Sequence, residues 1–260
     1  MISFINSFKS EWLKKKGTVA FWLVIIGSFF IPLIMTARGL FYPETFAAEA
    51  KSSFFWQAGM NRNWQLMAFF LLPMGVVMAT SLITQIEFRN NTWKQLHTSP
   101  QSYPVVFLSK LSVIIVMLLQ FFLLFNVGIY LSGVIPSLVY TDIDYPQQAF
   151  PFKDFLKVTA LFFIDCLPIV AFQYLVSLQF KNFLVPLGAG IGLLIASLIA
   201  VQWKYGYTIP YTYCPYNFLA LRPSNGGAFP AVNIHYMALA YFVGFTIVSY
   251  LLYITKREKG

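Results

Sequence analysis

Residues Leu184 to Trp203 read LVPLGAGIGLLIASLIAVQW, a run of twenty residues without a charge. At about 1.5 Å of rise per residue, a helix of that length matches the roughly 30 Å hydrocarbon core of a bilayer. Five further stretches are comparably long and apolar: about Val19–Ala37, Trp64–Ile86, Val105–Leu131, Phe155–Phe180 and Ile234–Thr255. The chain carries 10% charged and 58% apolar residues. A soluble domain has about 25% charged residues, so this chain cannot cover itself with solvated side chains. Lipid offers no water to unpaired backbone groups, so the runs must form helices or a closed barrel. The short-period alternation of a barrel strand is absent. The expected fold is an all-α membrane protein of six transmembrane helices, in a single domain over residues 1–260.

The net charge of +9 does not point to nucleic acid, because the basic residues are spread over loops and termini. On alternate sides of the six runs, Lys and Arg divide eleven to seven. The richer side holds Lys9, Lys14, Lys15, Lys16, Arg89, Lys94, Lys110 and the C-terminal bases, with only Glu11, Glu87 and Glu258 as acids. The positive-inside rule therefore puts both termini and the stretch after the second run in the cytoplasm. Before the first run, residues 1–16 place Ile2, Ile5, Phe8 and Trp12 at helical spacing. They read as an amphipathic helix lying on the inner leaflet. Val19–Ala37 is too long for a signal-peptide core and no small-x-small site follows it, so it reads as a retained span.

Two outer loops are long. Arg38 to Asn63 carries Phe41, Tyr42, Phe46, Phe54, Phe55 and Trp56 and is expected to form an interfacial helix. Residues 204–233 combine five tyrosines with repeated Pro and Gly, which forbids one continuous helix. They suit a segment resting at, or dipping into, the headgroup layer, either as an anchor or near a substrate exit.

Signals for enzyme chemistry are poor, and no catalytic or metal-binding set is expected. His97 and His235 fall in loops on opposite sides, and neither H-E-x-x-H nor a G-x-x-x-x-G-K-[ST] loop occurs. Gly188 and Gly192 give a small-xxx-small face suited to close helix packing. Asp165 is the carboxylate within a span; mid-bilayer it must be buried, paired or protonated. Two readings stand: a polar point on a substrate route or subunit contact, or a buried hydrogen bond to a neighbour such as Gln120 or Asn126. Cys166 falls in a span and Cys214 in a loop, and that difference in depth argues against a disulfide.

The interruption between the second and third runs, Glu87 to Pro104, reads EFRNNTWKQLHTSPQSYP. Thr92 and Gln95 fit a capping box, Asn90 and Asn91 a preceding turn, and Pro100 a helix stop. Tyr103 and Pro104 restart a helix. Trp93 and Leu96 share one face of the short helix, which calls for a partner, a lipid surface or the chain's own helix ends.

A Glu closing the second span, the Thr-x-Lys-x-Leu turn, Ser-Pro-x-Ser and a Lys early in the third span resemble the type-2 ABC-transporter permeases. More narrowly, the pattern looks like the branch with permeases for lantibiotic immunity and bacitracin resistance. The matching residues are Glu87, Thr92, Lys94, Leu96, Pro100, Ser102 and Lys110. Asn91 stands where the family usually has Gly, and Tyr103 where it usually has a base. The resemblance implies that residues 87–103 form a coupling helix docked in a separate cytoplasmic ABC ATPase, with Trp93 in the contact. ATP and Mg would sit on that partner and no cofactor on this chain. It also implies a second permease chain, identical or a sister, and a multi-pass place in a bacterial plasma (inner) membrane. The cargo would be a peptide, antimicrobial or lipid-like molecule, exported for resistance or immunity. The alternative is a secondary transporter or channel, which should show internal repeats and several ionisable groups within the spans. No repeat is visible, and Asp165 is the one carboxylate in the middle of a span.

Overall fold

The computed structural model describes residues 2–89, 102–221 and 232–255, and every regular element within them is helical. Helix α1 spans Ile2–Lys14. Gly17, at φ +70°, turns the chain, and Thr18 then caps α2 (Val19–Phe41) by accepting the Phe21 amide at 3.3 Å. Glycine suits that left-handed corner because it has no Cβ to clash. Helix α3 (Pro43–Ala50) follows, with Pro43 at its start where a missing N–H costs nothing.

The second span begins earlier than the sequence suggests. Helix α4 (Phe55–Leu66) runs through a π turn at Met67–Leu71 into α5 (Leu72–Arg89), giving one apolar helix over Phe55–Ile86. Gln57, Asn61, Arg62 and Asn63 disguise its first turns as loop. The π turn ends two residues before Pro73, which cannot bond the Phe69 carbonyl and would clash with it in a regular turn. Within the aromatic stretch Arg38 to Asn63, Phe46, Phe55 and Trp56 are buried, whereas Phe41, Tyr42 and Phe54 are exposed. Gly133 makes the space: a Cβ there would stand 2.5 Å from the Trp56 ring.

The remaining helices are α6 (Tyr103–Val139), α7 (Phe152–Gln179), α8 (Leu184–Ala200), α9 (Tyr213–Ala220) and α10 (Ile234–Thr255). Among the described residues, five helical segments are long and apolar enough to cross a membrane: α2, α4 through α5, α6, α7 and α10. Helix α8 is apolar but has 17 residues. Helix α2 lies along α6, α10 along α7, and α5 against α7. The centre is aromatic, with Trp64 stacked on Phe162 at 3.8 Å between centroids and edge-on to Phe125. Trp22, Ile26, Phe30 and Leu33 on α2, and Val243, Ile247 and Leu251 on α10, face outward, as a surface solvated by lipid should.

Within this chain the expected glycine face of α8 is not used. Nothing lies within 4 Å of a Cβ built on Gly188 or Gly192. The close approach is at Gly190, whose Cβ would meet Val77 at 2.5 Å and Gln173 at 2.7 Å. After α8, residues 206–220 fold inward. Their 3-10 turns and α9 pack against α7 and α8, burying Tyr211 to Phe218.

Candidate functional site

Thr92, Trp93, Lys94, Leu96, Pro100 and His97 lie outside the described residues, as does the expected coupling helix itself. Glu87 falls in the last turns of α5, where the backbone alone is described. The structure does describe the ground on either side of that loop, and it is held by buried polar contacts.

Helix α1 meets α6 through a polar stripe. Ser7, Glu11 and Lys15 recur every four residues and are all buried, while Ile5 is exposed and Phe8 and Trp12 pack at the flank. The helical spacing of Ile2, Ile5, Phe8 and Trp12 in the sequence gives no sign of this stripe. Ser7 and Ser109 share a hydrogen bond of 2.9 Å. Lys110 Nζ donates to Glu11 Oε2 at 2.7 Å, with both side chains about 95% covered (3% and 5% exposed). Lys14 pairs with the other oxygen of Glu11. Burial alone would push the Glu11 carboxyl up, but Lys110 and Lys14 outweigh it and hold Glu11 below its ordinary range. Lys15 Nζ donates to Gln120 Oε1 at 2.9 Å and sits 3.1 Å over the Trp12 ring. Burial pulls its ammonium down to about 8.

The same end of the bundle is tied to α7. Gln85, near the end of α5, donates from Nε2 to the carbonyls of Ser177 at 3.2 Å and Phe180 at 2.7 Å. Tyr174 donates its hydroxyl to the Phe107 carbonyl at 3.0 Å, early in α6. The helix that leads into residues 90–101 and the helix that leaves them are therefore both fastened to α7, and the second also to α1.

Toward the opposite end, Asp165 is fully buried and neither expected partner reaches it. Gln120 accepts from Lys15, and Asn126 bonds Thr159. Asn217 Nδ2 donates to Asp165 Oδ2 at 2.8 Å, and His235 Nδ1 stands 2.8 Å from Oδ1. One carboxylate thus holds α9 and the first turn of α10 to α7. Next to it, Cys166 and Cys214 bring their sulfurs to 3.4 Å, both fully buried. The inward fold of α9 removes the difference in depth that separated them in the sequence. No signal within α7 could have disclosed partners 52 and 70 residues downstream.

At the ends of α2 and α4, Arg38 grips Glu49 with two donors at 2.7 and 3.1 Å, and Arg62 reaches it at 2.9 Å. The Arg38 hydrogen bonds hold the Glu49 carboxyl below its usual range against a smaller opposing effect of burial. All three side chains are about a third exposed (29–36%), so the cluster positions α3 more than it stabilises the fold. Between α2, α5 and α6 lies an apolar cavity of about 190 Å³, lined by Met67, Met74, Met78 and Met117 and opened by Gly27 and Gly75. No group of three His, Cys, Asp or Glu side chains among the described residues could hold a metal.

Long apolar helices around buried polar ties define a multi-pass membrane protein of helical type. The chain belongs to the ABC-2 transporter family: residues 7–197 match the family model described as ABC-2 family transporter protein. It is thus the membrane domain of an ABC-type permease. No curated protein and no solved structure matches the chain. The matched region includes the α1–α6 contact and Asp165, and ends before Asn217 and His235.

Proposed function

We propose that the chain is the pathway-forming subunit of an ABC exporter driven by a separate cytoplasmic ATPase, which carries ATP and Mg. In this reading α8 is a short sixth crossing, both termini are cytoplasmic, and the protein resides in a bacterial plasma membrane. Residues 87–103 dock on the ATPase, with Trp93 and Leu96 as apolar anchors and Glu87, Thr92 and Lys94 shaping the helix that carries them. The observation that supports this best is the fastening of both flanks of that loop. Gln85 and Tyr174 link α5 and α6 to α7, and Lys110 links α6 to α1. A push on the loop therefore moves α5 and α6 together with α7 and the interfacial helix.

The displacement reaches the far end through α7, where Asp165 holds α9 and α10. Asp165 is in this sense a positioning residue between the ATPase side of α7 and the outer elements α9 and α10. The apolar cavity suits an apolar chain or ring, since a dry cavity of about 150 Å³ already accommodates benzene. Its four methionines adapt to varied shapes. Peptides and lipid-like antimicrobials supply such groups, in line with an immunity or resistance role. A second permease chain, identical or a sister, completes the pathway, and the open Gly188–Gly192 face of α8 is available to it. Changing Trp93→Asp together with Leu96→Asp tests the docking: the ATPase should no longer co-purify while the permease still inserts. Undiminished co-purification would overturn the assignment of this loop.

A further inference from the structure

We propose that Cys166 and Cys214 are joined as a disulfide in the mature protein, stapling α9 to α7; the inference rests on the orientation given above. The chain has two cysteines among 260 residues, 48 positions apart. Folding brings these two, on different elements, to 3.4 Å. Both are fully buried. The contact is one of a matched pair: Asp165 faces Asn217 while Cys166 faces Cys214. Positions 214 and 217 are one turn apart on α9 and positions 165 and 166 adjacent on α7, so the two ties fix one register. Small apolar filling would need neither this facing geometry nor cysteine at both positions. Bonding requires the sulfurs to close from 3.4 Å to about 2.05 Å.

The chemistry requires an oxidant, and the compartment supplies its class. With both termini cytoplasmic, the segment between α8 and α10 is delivered from the outer side, where extracytoplasmic dithiol–disulfide oxidants act. One chain thiolate attacks the oxidant's disulfide to give a mixed disulfide, and the second displaces the oxidant's sulfur. Two S–H bonds of the chain and one S–S bond of the oxidant are lost. One S–S bond forms in the chain, and two electrons and two protons leave with the oxidant as its dithiol. Cys214 attacks the oxidant before α9 packs, while its thiol is still accessible, and Cys166 displaces the oxidant's sulfur as α9 docks on α7.

The test uses the full chain expressed in its own membrane. The protein is denatured without reductant in N-ethylmaleimide, then reduced and treated with iodoacetamide, and the mass of each cysteine peptide is read. Both Cys166 and Cys214 should carry only the acetamide label. Maleimide on both overturns the disulfide. A separate Ser52→Cys variant, labelled on intact cells with a membrane-impermeant maleimide, reports sidedness, because Ser52 is exposed beside α3. Outward labelling with maleimide on both native cysteines refutes the disulfide alone. Inward labelling refutes the orientation, and with it the route by which the disulfide forms.

Discussion

Lys110→Met probes the tie between α1 and α6 where it is most buried. The substitution keeps the length of the apolar stem but removes the charge 2.7 Å from Glu11 Oε2. Breaking a buried ion pair by deleting one partner costs about 3–5 kcal/mol, since the other charge is left desolvated. Lys14 still reaches Glu11 from a position about a third exposed (33%), so the lower end, about 3 kcal/mol, applies. At about 1.4 kcal/mol per factor of ten, the undocked population of α1 should rise roughly 100-fold. Hydrogen exchange of the amides of residues 5–14 in detergent or nanodiscs reads this directly as lost protection. Replacing both charges, Glu11→Leu with Lys110→Met, should restore protection to within about 1 kcal/mol, because a well-packed apolar pair avoids the desolvation penalty. Unchanged protection in the single variant, or a double variant as exposed as the single, would refute the pair as the fastening.

The same carboxyl sets a pH dependence. Glu11 is held below its ordinary 4.5, so its contribution is complete above that value and disappears as pH falls through the lower folded one. Exchange protection of α1, corrected for the intrinsic rate, should stay flat down to pH 4.5 and collapse below it. Gly190→Ala should destabilise by about 1–3 kcal/mol through the clash with Val77 and Gln173, whereas Gly188→Ala should stay within about 0.5 kcal/mol in the isolated chain. Thermal unfolding of the two variants side by side separates them. Asp165→Leu strands the buried Asn217 amide and should cost about 1–3 kcal/mol, seen as faster exchange across residues 213–220. Asp165→Asn retains a polar partner, so assembly should persist while ATP-driven export falls; normal export would leave Asp165 a structural tie.

Much of the helical plan was legible because apolar runs of bilayer length admit few alternatives. Val19, Leu184 and Ile234 are helix starts in both sequence and structure. The second span was misjudged because Asn61, Arg62 and Asn63 look like loop residues, although Arg62 is drawn to Glu49 and Asn63 bonds the Gly59 carbonyl. Helix α1 was recognised, but its contact face was not. A stripe of Ser7, Glu11 and Lys15 reads as solvated unless Ser109, Lys110 and Gln120 are known to oppose it. Asp165 stood out through the cost of burying its charge, yet its partners depend on the inward fold of residues 206–220. That fold also brought the two cysteines together against expectation. Local sequence carries no record of such long-range meetings, which are decided when α9 packs against α7.

The most direct measurement is purification of the chain from its native membrane, followed by identification of what accompanies it and whether the assembly hydrolyses ATP. A soluble subunit with a phosphate-binding loop, recovered in constant proportion and active with Mg-ATP, is the result expected of an ABC exporter's membrane subunit. A chain that purifies without such a subunit, and moves cargo across vesicles in the absence of ATP, would contradict it.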